Sequence, residues 1–198
     1  MSQQSEGSPC VLAHPGTPPE YSPEERCLLL QIARESILSF LERREISLFT
    51  PSPHLTEPKG VFTTLYSKDR LRGCVGYPAA ILPLYRAVVE TARAAASEDP
   101  RFYPVRLDEV HDLRISLSVL SQLQTISAEQ VEIGRHGLVI SQRGLRGLLL
   151  PQVPVEHGWD RTTFLEQTCL KAGLAPDAWR AGALIEAFTA EAFGDEGV

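Results

Sequence analysis

The sequence has little with which to build a metal centre or a disulfide framework. Its four cysteines, Cys10, Cys27, Cys74 and Cys169, are widely separated and form no CxxC pair. Reduced thiols are therefore the simpler expectation. Five histidines, His14, His54, His111, His136 and His157, share no close ligand spacing, so no metal is expected. Neither GxGxxG nor GxxxxGK occurs, and the sequence calls for no cofactor. Basic excess is also missing: 19 Lys and Arg face 25 Asp and Glu, a formal charge of -6. That balance argues against a nucleic-acid partner. No apolar run approaches the roughly twenty residues of a membrane span, and the opening MSQQSEGSPCVLAHPG lacks the basic start and apolar core of a secretion signal. The expectation is a cytoplasmic protein, with nuclear presence if the source is eukaryotic, and no membrane partner.

What is present is a chain of 198 residues, enough for one substantial core or two small subdomains sharing one. Residues 1–21, rich in Ser, Gly, Pro and Gln, are expected to form a mobile tail. Structure should begin at Ser22, an N-cap followed by Pro23, with Glu25 placed to complete a capping box. Leu29, Ile32, Ala33, Ile37, Phe40 and Leu41 then recur at helical spacing through about Arg43. VFTTLY (61–66), a turn at Ser67–Asp69 and RLRGCVG (70–76) predict a hairpin. The next helix carries Leu84, Val88, Ala92 and Ala95, whose alanines allow close approach to a sheet, and Asp99 and Pro100 stop it.

LRISLSVLS (113–121) alternates as a half-buried strand. A second hairpin follows, HGLVIS (136–141) and LRGLLLPQV (145–153) about a turn at Gln142–Gly144, with Pro151 ending the regular pairing of that last strand or placing it at an edge. A helix over roughly Thr162–Ala172, capped by Asp160 or Thr162, buries Phe164, Leu165, Thr168 and Cys169. The final ALIEAFTAEAF has a mixed period compatible with a strand or a short helix. SKDRLRGCVG and SQRGLRGLLL share LRG after a turn, and each is followed by a helix. This echo points to an internal duplication and an α+β fold of two helix-and-antiparallel-sheet subdomains.

RLRGCVG concentrates the candidate chemistry. A thiol becomes nucleophilic beside a cation or base, and regular alternation puts Arg72 and Cys74 on one strand face. Cys74 is accordingly a nucleophile, a pocket-lining contact or a buried packing thiol. His136 is the best remote imidazole for proton transfer. Arg72 offers a guanidinium for an anion or a structural ion pair, and Gly73 and Gly76 allow close backbone approach. Asp99 and Arg101 in EDPRFYPV form a second acidic and basic pair, with Asp99 more readily a cap or Arg partner than a catalytic acid, and Phe102 and Tyr103 packing at the bend. Gln152 can present an amide to a ligand or satisfy backbone.

Taken in order, GVFTTL, LRGCVG, PLYRAVVETARAAASEDPRFYPV, LRISLSVLS, GRHGLVI, RGLLLPQV, WDRTTFL and CLKAGL resemble the AMMECR family, named for the chromosomal region of Alport syndrome, midface hypoplasia and elliptocytosis. The blocks span roughly residues 25–193, and Val75 stands where the family's LRGCIG pattern has Ile. The resemblance implies an AMMECR-like α+β domain over 22–193 with a large and a small subdomain around a cleft, followed by a short C-terminal tail at 194–198. It implies no established reaction. Its distinctive residues map to Arg72, Gly73, Cys74, Gly76, Asp99, Pro100, Arg101, Phe102, His136, Gly137 and Gln152.

An association with Memo-like and radical-SAM proteins is also implied, although the chain itself lacks the CxxxCxxC of a radical-SAM enzyme. Three functional readings stand: a protein binding a small ligand, peptide or protein partner, with Arg72, Gly73, Cys74, Gly76, Asp99, Arg101, His136 and Gln152 as contacts; a cysteine-dependent enzyme using Cys74 and His136 on an activated acyl or peptide-like substrate; and an interaction scaffold.

Overall fold

A computed structural model describes residues 19–46 and 51–195, which places most of the expected tail, with Cys10 and His14, outside the described residues. The chain divides into two compact units. One runs to Val119 and resumes at Glu191, and the other is Leu120–Ala190.

The first unit opens with α1 (Pro23–Leu41). Ser22 accepts the Glu25 amide at 3.2 Å while the Glu25 carboxylate accepts the Ser22 amide at 3.1 Å, so two of the amides left over at the helix start are satisfied reciprocally. Glu25 also receives the Ser52 hydroxyl at 2.9 Å and meets His54 Nδ1 at 3.1 Å. His54 in turn stacks on Tyr21 at 4.9 Å. Tyr21, the last residue of the expected tail, is buried in this unit's core.

The first hairpin joins β1 (Gly60–Ser67) to β2 (Arg70–Tyr77). Its turn residues Lys68 and Asp69 have φ of 49° and 62°. Two successive left-handed residues make the twist that suits a two-residue hairpin. α2 (Leu84–Ser97) follows, then β3 (Leu113–Leu120). Leu29, Ala33 and Ile37 of α1 pack with Leu84, Val88 and Ala92 of α2 and with Val61, Leu65, Leu113, Ile115 and Leu117 of the strands, all essentially unexposed. Each such Leu or Ile contributes about 1.5–3 kcal/mol over an exposed position.

The second unit contains β4 (Gln124–Thr125), β5 (Gly137–Gln142), β6 (Leu145–Leu149), α3 (Gln152–Glu156), α4 (Arg161–Lys171) and β7 (Leu184–Phe188). The chain then forms β8 (Ala190–Gly194), whose sheet is that of the first unit. The ambiguous C-terminal stretch is therefore two strands. The expected strand through Val153 stops at Leu149, because Pro151 takes helical backbone angles, φ -59° and ψ -31°, and starts α3. Asp160, not Thr162, caps α4, accepting the Thr163 amide at 2.7 Å.

The sheet orders are β2-β1-β3-β8 and β4-β7-β5-β6. Reversing the second gives β6-β5-β7-β4, so each hairpin occupies the same place, with its second strand at the sheet edge. The fourth positions differ in origin: β4 belongs to the same continuous stretch of chain as β5, β6 and β7, whereas β8 follows β7 but lies beside β3. The architecture is α+β with two four-stranded sheets and accompanying helices.

Candidate functional site

The LRG motifs act first on packing. An added Cβ on Gly73 would stand 2.1 Å from the Ala95 carbonyl oxygen, and one on Gly147 would stand 2.3 Å from the Ala172 amide nitrogen. Each glycine thus lets its edge strand touch the C-terminal part of a helix, α2 for Gly73 and α4 for Gly147. Gly76 is covered by the Phe62 ring, 2.2 Å from where a Cβ would be. With Gly73 against α2, Cys74 and Gly76 mark the opposite sheet face.

Arg72 does not sit on a regular strand. The β1–β2 register passes from Tyr66↔Leu71 to Leu65↔Gly73, leaving Arg72 as the extra residue of a bulge. Its guanidinium turns to protein acceptors: Nε and Nη2 donate to Glu109 at 3.0 and 3.1 Å, Nη1 to the Tyr103 carbonyl at 2.8 Å and Nη2 to the Pro104 carbonyl at 3.3 Å. This is bidentate ion-pair geometry. Hydrogen bonding from Arg72, outweighing burial, holds the Glu109 carboxyl below its usual range. Tyr103, expected to pack, is 91% exposed and contributes its carbonyl instead.

Asp99 links Cys74 to Arg101. Asp99, buried beside the strand edge, accepts the Cys74 amide at 2.9 Å, and receives Arg101 Nε at 2.9 Å, Nη2 at 2.6 Å and the Arg101 amide at 3.1 Å. The Arg101 hydrogen bonds are the main cause holding the Asp99 carboxyl well below the usual range, against its burial; the Cys74 amide adds to them. Arg101 is held more firmly protonated, mainly by Asp99, with a smaller electrostatic contribution from Cys74. Its side chain remains 54% exposed, against 3% for Asp99. Thr64 completes the group by donating its hydroxyl to Cys74 Sγ at 3.3 Å. Because the Cys74 amide points outward to Asp99, Thr64 and Cys74 form the closer, non-hydrogen-bonded type of cross-strand pair.

The structure thus brings Arg72, Gly73, Cys74, Gly76, Asp99 and Arg101 onto one stretch of the first unit. His136 and Gln152 belong to the second unit. His136 Nδ1 accepts the Glu132 amide at 3.2 Å, and burial lowers its pKa from the usual 6.5. Gln152 is the first residue of α3. Cys169 is fully buried, and burial raises its thiol pKa, in keeping with packing. Among the described residues, no three His, Cys, Asp or Glu side chains group to hold a metal ion, and no helix is long and apolar enough to cross a membrane. Thr64 and Glu109 were not legible as site residues. Glu109 approaches from a distant 3₁₀ turn, Leu107–Asp112.

Chemically, Thr64 offers Cys74 a hydroxyl donor, and Arg101, paired with Asp99, presents a half-exposed guanidinium. Asp99 is ionised and committed to four hydrogen bonds, so it is a brace rather than a base.

The AMMECR1 family profile matches residues 30–193, which contain all of these side chains. The chain belongs to the AMMECR1 family. Protein MK0488 of Methanopyrus kandleri is 44% identical over 185 residues, covering 87% of this chain and 89% of that protein. Protein MJ0810 of Methanocaldococcus jannaschii is 42% identical over 180 residues, covering 86% and 90%. A crystal structure of uncharacterized protein PH0010 from Pyrococcus horikoshii has a TM-score of 0.81 and 40% identity, covering 88% of this chain and 93% of that one.

Proposed function

We propose that this protein binds a small ligand or peptide through an anionic group placed at Cys74 and Arg101. The observation that carries the reading is Arg101 itself: its guanidinium is fixed in plane by a buried carboxylate, yet more than half of the side chain faces solvent beside a thiol. Arg72, whose donors go to Glu109 and two carbonyls, takes the part of a structural support for the bend. Fixing a cation before the ligand arrives lowers the ordering cost of binding. As an accessory protein the chain would present this group to an enzyme partner, with Memo-like and radical-SAM proteins as the class that the resemblance implies.

Titration with acetate and with phosphate, followed by amide chemical shifts, tests the binding. Shifts centred on Cys74 and Arg101 that vanish in a folded Arg101→Ala protein are expected. The same shifts persisting in Arg101→Ala would remove Arg101 from the role.

The thiol enzyme is the second reading, favoured by the Thr64 hydrogen bond to Sγ and the adjacent Arg101 charge. It requires a proton-transfer group for Cys74, and His136, the imidazole that the sequence offers for that role, belongs to the other unit. Full turnover of an activated acyl substrate by a folded Cys74→Ser protein would dispose of it.

A further inference from the structure

A cavity of about 830 Å³ lies between the C-terminal part of α1 and the first turns of α2, within the first unit. That volume falls in the range of small-molecule sites. The small side chains of Ser36 and Ser39 on α1 leave the space open. Both are buried, and their hydroxyls are already committed, Ser36 to the Val89 carbonyl at 2.8 Å and Ser39 to the Ser36 carbonyl at 3.1 Å.

The lining is amphipathic. Phe40, Ile46 and Val89 are its apolar part, and Arg86 and Arg93 rise from α2. Seven residues apart on one helix, these arginines stand two turns and about 10 Å from each other, with Val89 between them. Neither forms an ion pair among the described residues. Arg86 Nε donates to the Tyr85 hydroxyl at 3.1 Å, and the Arg93 guanidinium lies 5.2 Å above the Phe40 ring. In the same unit Arg26, Arg34, Arg72, Arg101 and Arg114 each reach a carboxylate. Arg44, also on the lining, is neutralised by Glu35 and Glu42. Glu45 is the one lining carboxylate and makes no ion pair among the described residues. Two guanidiniums and one carboxylate thus line the cavity without ion-pair partners among the described residues, leaving an excess of one positive charge over an apolar floor in a chain whose net charge is -6.

We infer that this cavity binds a small amphipathic anion, its apolar body against Phe40, Ile46 and Val89 and its carboxylate, sulfonate or phosphate group held by Arg86 and Arg93. Aromatic stacking of Arg93 presents a flat guanidinium, suited to paired hydrogen bonds to such a group. The site is independent of Cys74 and Arg101.

The probe is 8-anilinonaphthalene-1-sulfonate, titrated into the whole protein by fluorescence, with the uncharged N-phenyl-1-naphthylamine as its neutral counterpart. The sulfonate is expected to bind more tightly than the neutral amine. In the Arg86→Gln/Arg93→Gln double variant its affinity should fall by about tenfold or more, while binding of the amine stays within about twofold. Amide shifts should centre on residues 36–46 and 86–93, and Arg101→Ala should change nothing. Circular dichroism and the unfolding midpoint confirm that the double variant folds; both substitutions fall on side chains without ion pairs. Equal sulfonate affinity in the double variant, equal affinity for the two probes, shifts centred elsewhere or no sulfonate binding would each overturn the inference.

Discussion

Asp99 joins the two halves of the Cys74 site. One oxygen holds a strand-edge amide and Arg101 Nη2, and the other holds Arg101 Nε and its amide. Its carboxyl is usually protonated near 3.8 and is held well below that in the fold, first by Arg101. The stabilisation is therefore complete above the unfolded value and is lost as pH falls from about 4 toward the folded value. Asp99→Asn should lower unfolding free energy at pH 6 by about 1.5–3 kcal/mol, nearer the lower figure because Arg101 is half exposed. The difference between variant and parent should shrink as pH is lowered below about 4. Urea unfolding across pH checks this, and a pH-independent difference would mean that the charge of Asp99 is immaterial.

At the level of elements, the two hairpins were legible because glycine, turn chemistry and two-residue alternation coincide in them. Their shared contact with a helix end has a direct consequence. Gly73→Ala and Gly147→Ala should each destabilise by about 1–3 kcal/mol through overpacking, since each Cβ would strike helix backbone rather than a movable side chain. Gly144→Ala, in a turn with φ 83° and open space around it, separates backbone strain from this contact. Unfolding midpoints unchanged in Gly73→Ala and Gly147→Ala would contradict the close approach.

The bulge was not legible. Counting back from the Lys68–Asp69 turn in a regular hairpin sets Thr63 against Cys74, whereas the extra residue at Arg72 brings Thr64 there. What selects the bulge is the pull of Glu109 and two carbonyls on Arg72, and no local pattern encodes those partners. Asp99 and Arg101, two residues apart, were legible as a pair because their contact is local. The α1–α2 cavity left no signal either: it depends on buried serines whose effect appears only when two helices meet.

For the molecule as a whole, the notable feature is that the first sheet takes its fourth strand, β8, from the far end of the described sequence. β8 brings Glu191 to the nearly buried Arg26, places Asp195 against Arg34 and the Ile115 amide, and buries Phe193. A chain ending at Thr189 leaves Arg26 buried without its carboxylate, a loss of roughly 3–5 kcal/mol before the missing apolar contacts are counted. Hydrogen exchange should show lost protection in α1 and β3, with β5 and β6 retaining theirs. Full protection of α1 and β3 in that chain would contradict the role given to β8.

The central claim concerns Arg101 as the fixed cation beside the Cys74 thiol, and alkylation by matched charged and neutral reagents tests it most directly. The rate of Cys74 modification by iodoacetate, divided by that by iodoacetamide, isolates attraction of the reagent's carboxylate from the reactivity of the sulfur itself. The account predicts that this ratio falls several-fold in Arg101→Gln, is restored in part in Arg101→Lys, and in the parent falls toward the ratio of a free thiol such as glutathione as salt is raised. A ratio that is the same in the parent and in folded Arg101→Gln would contradict it.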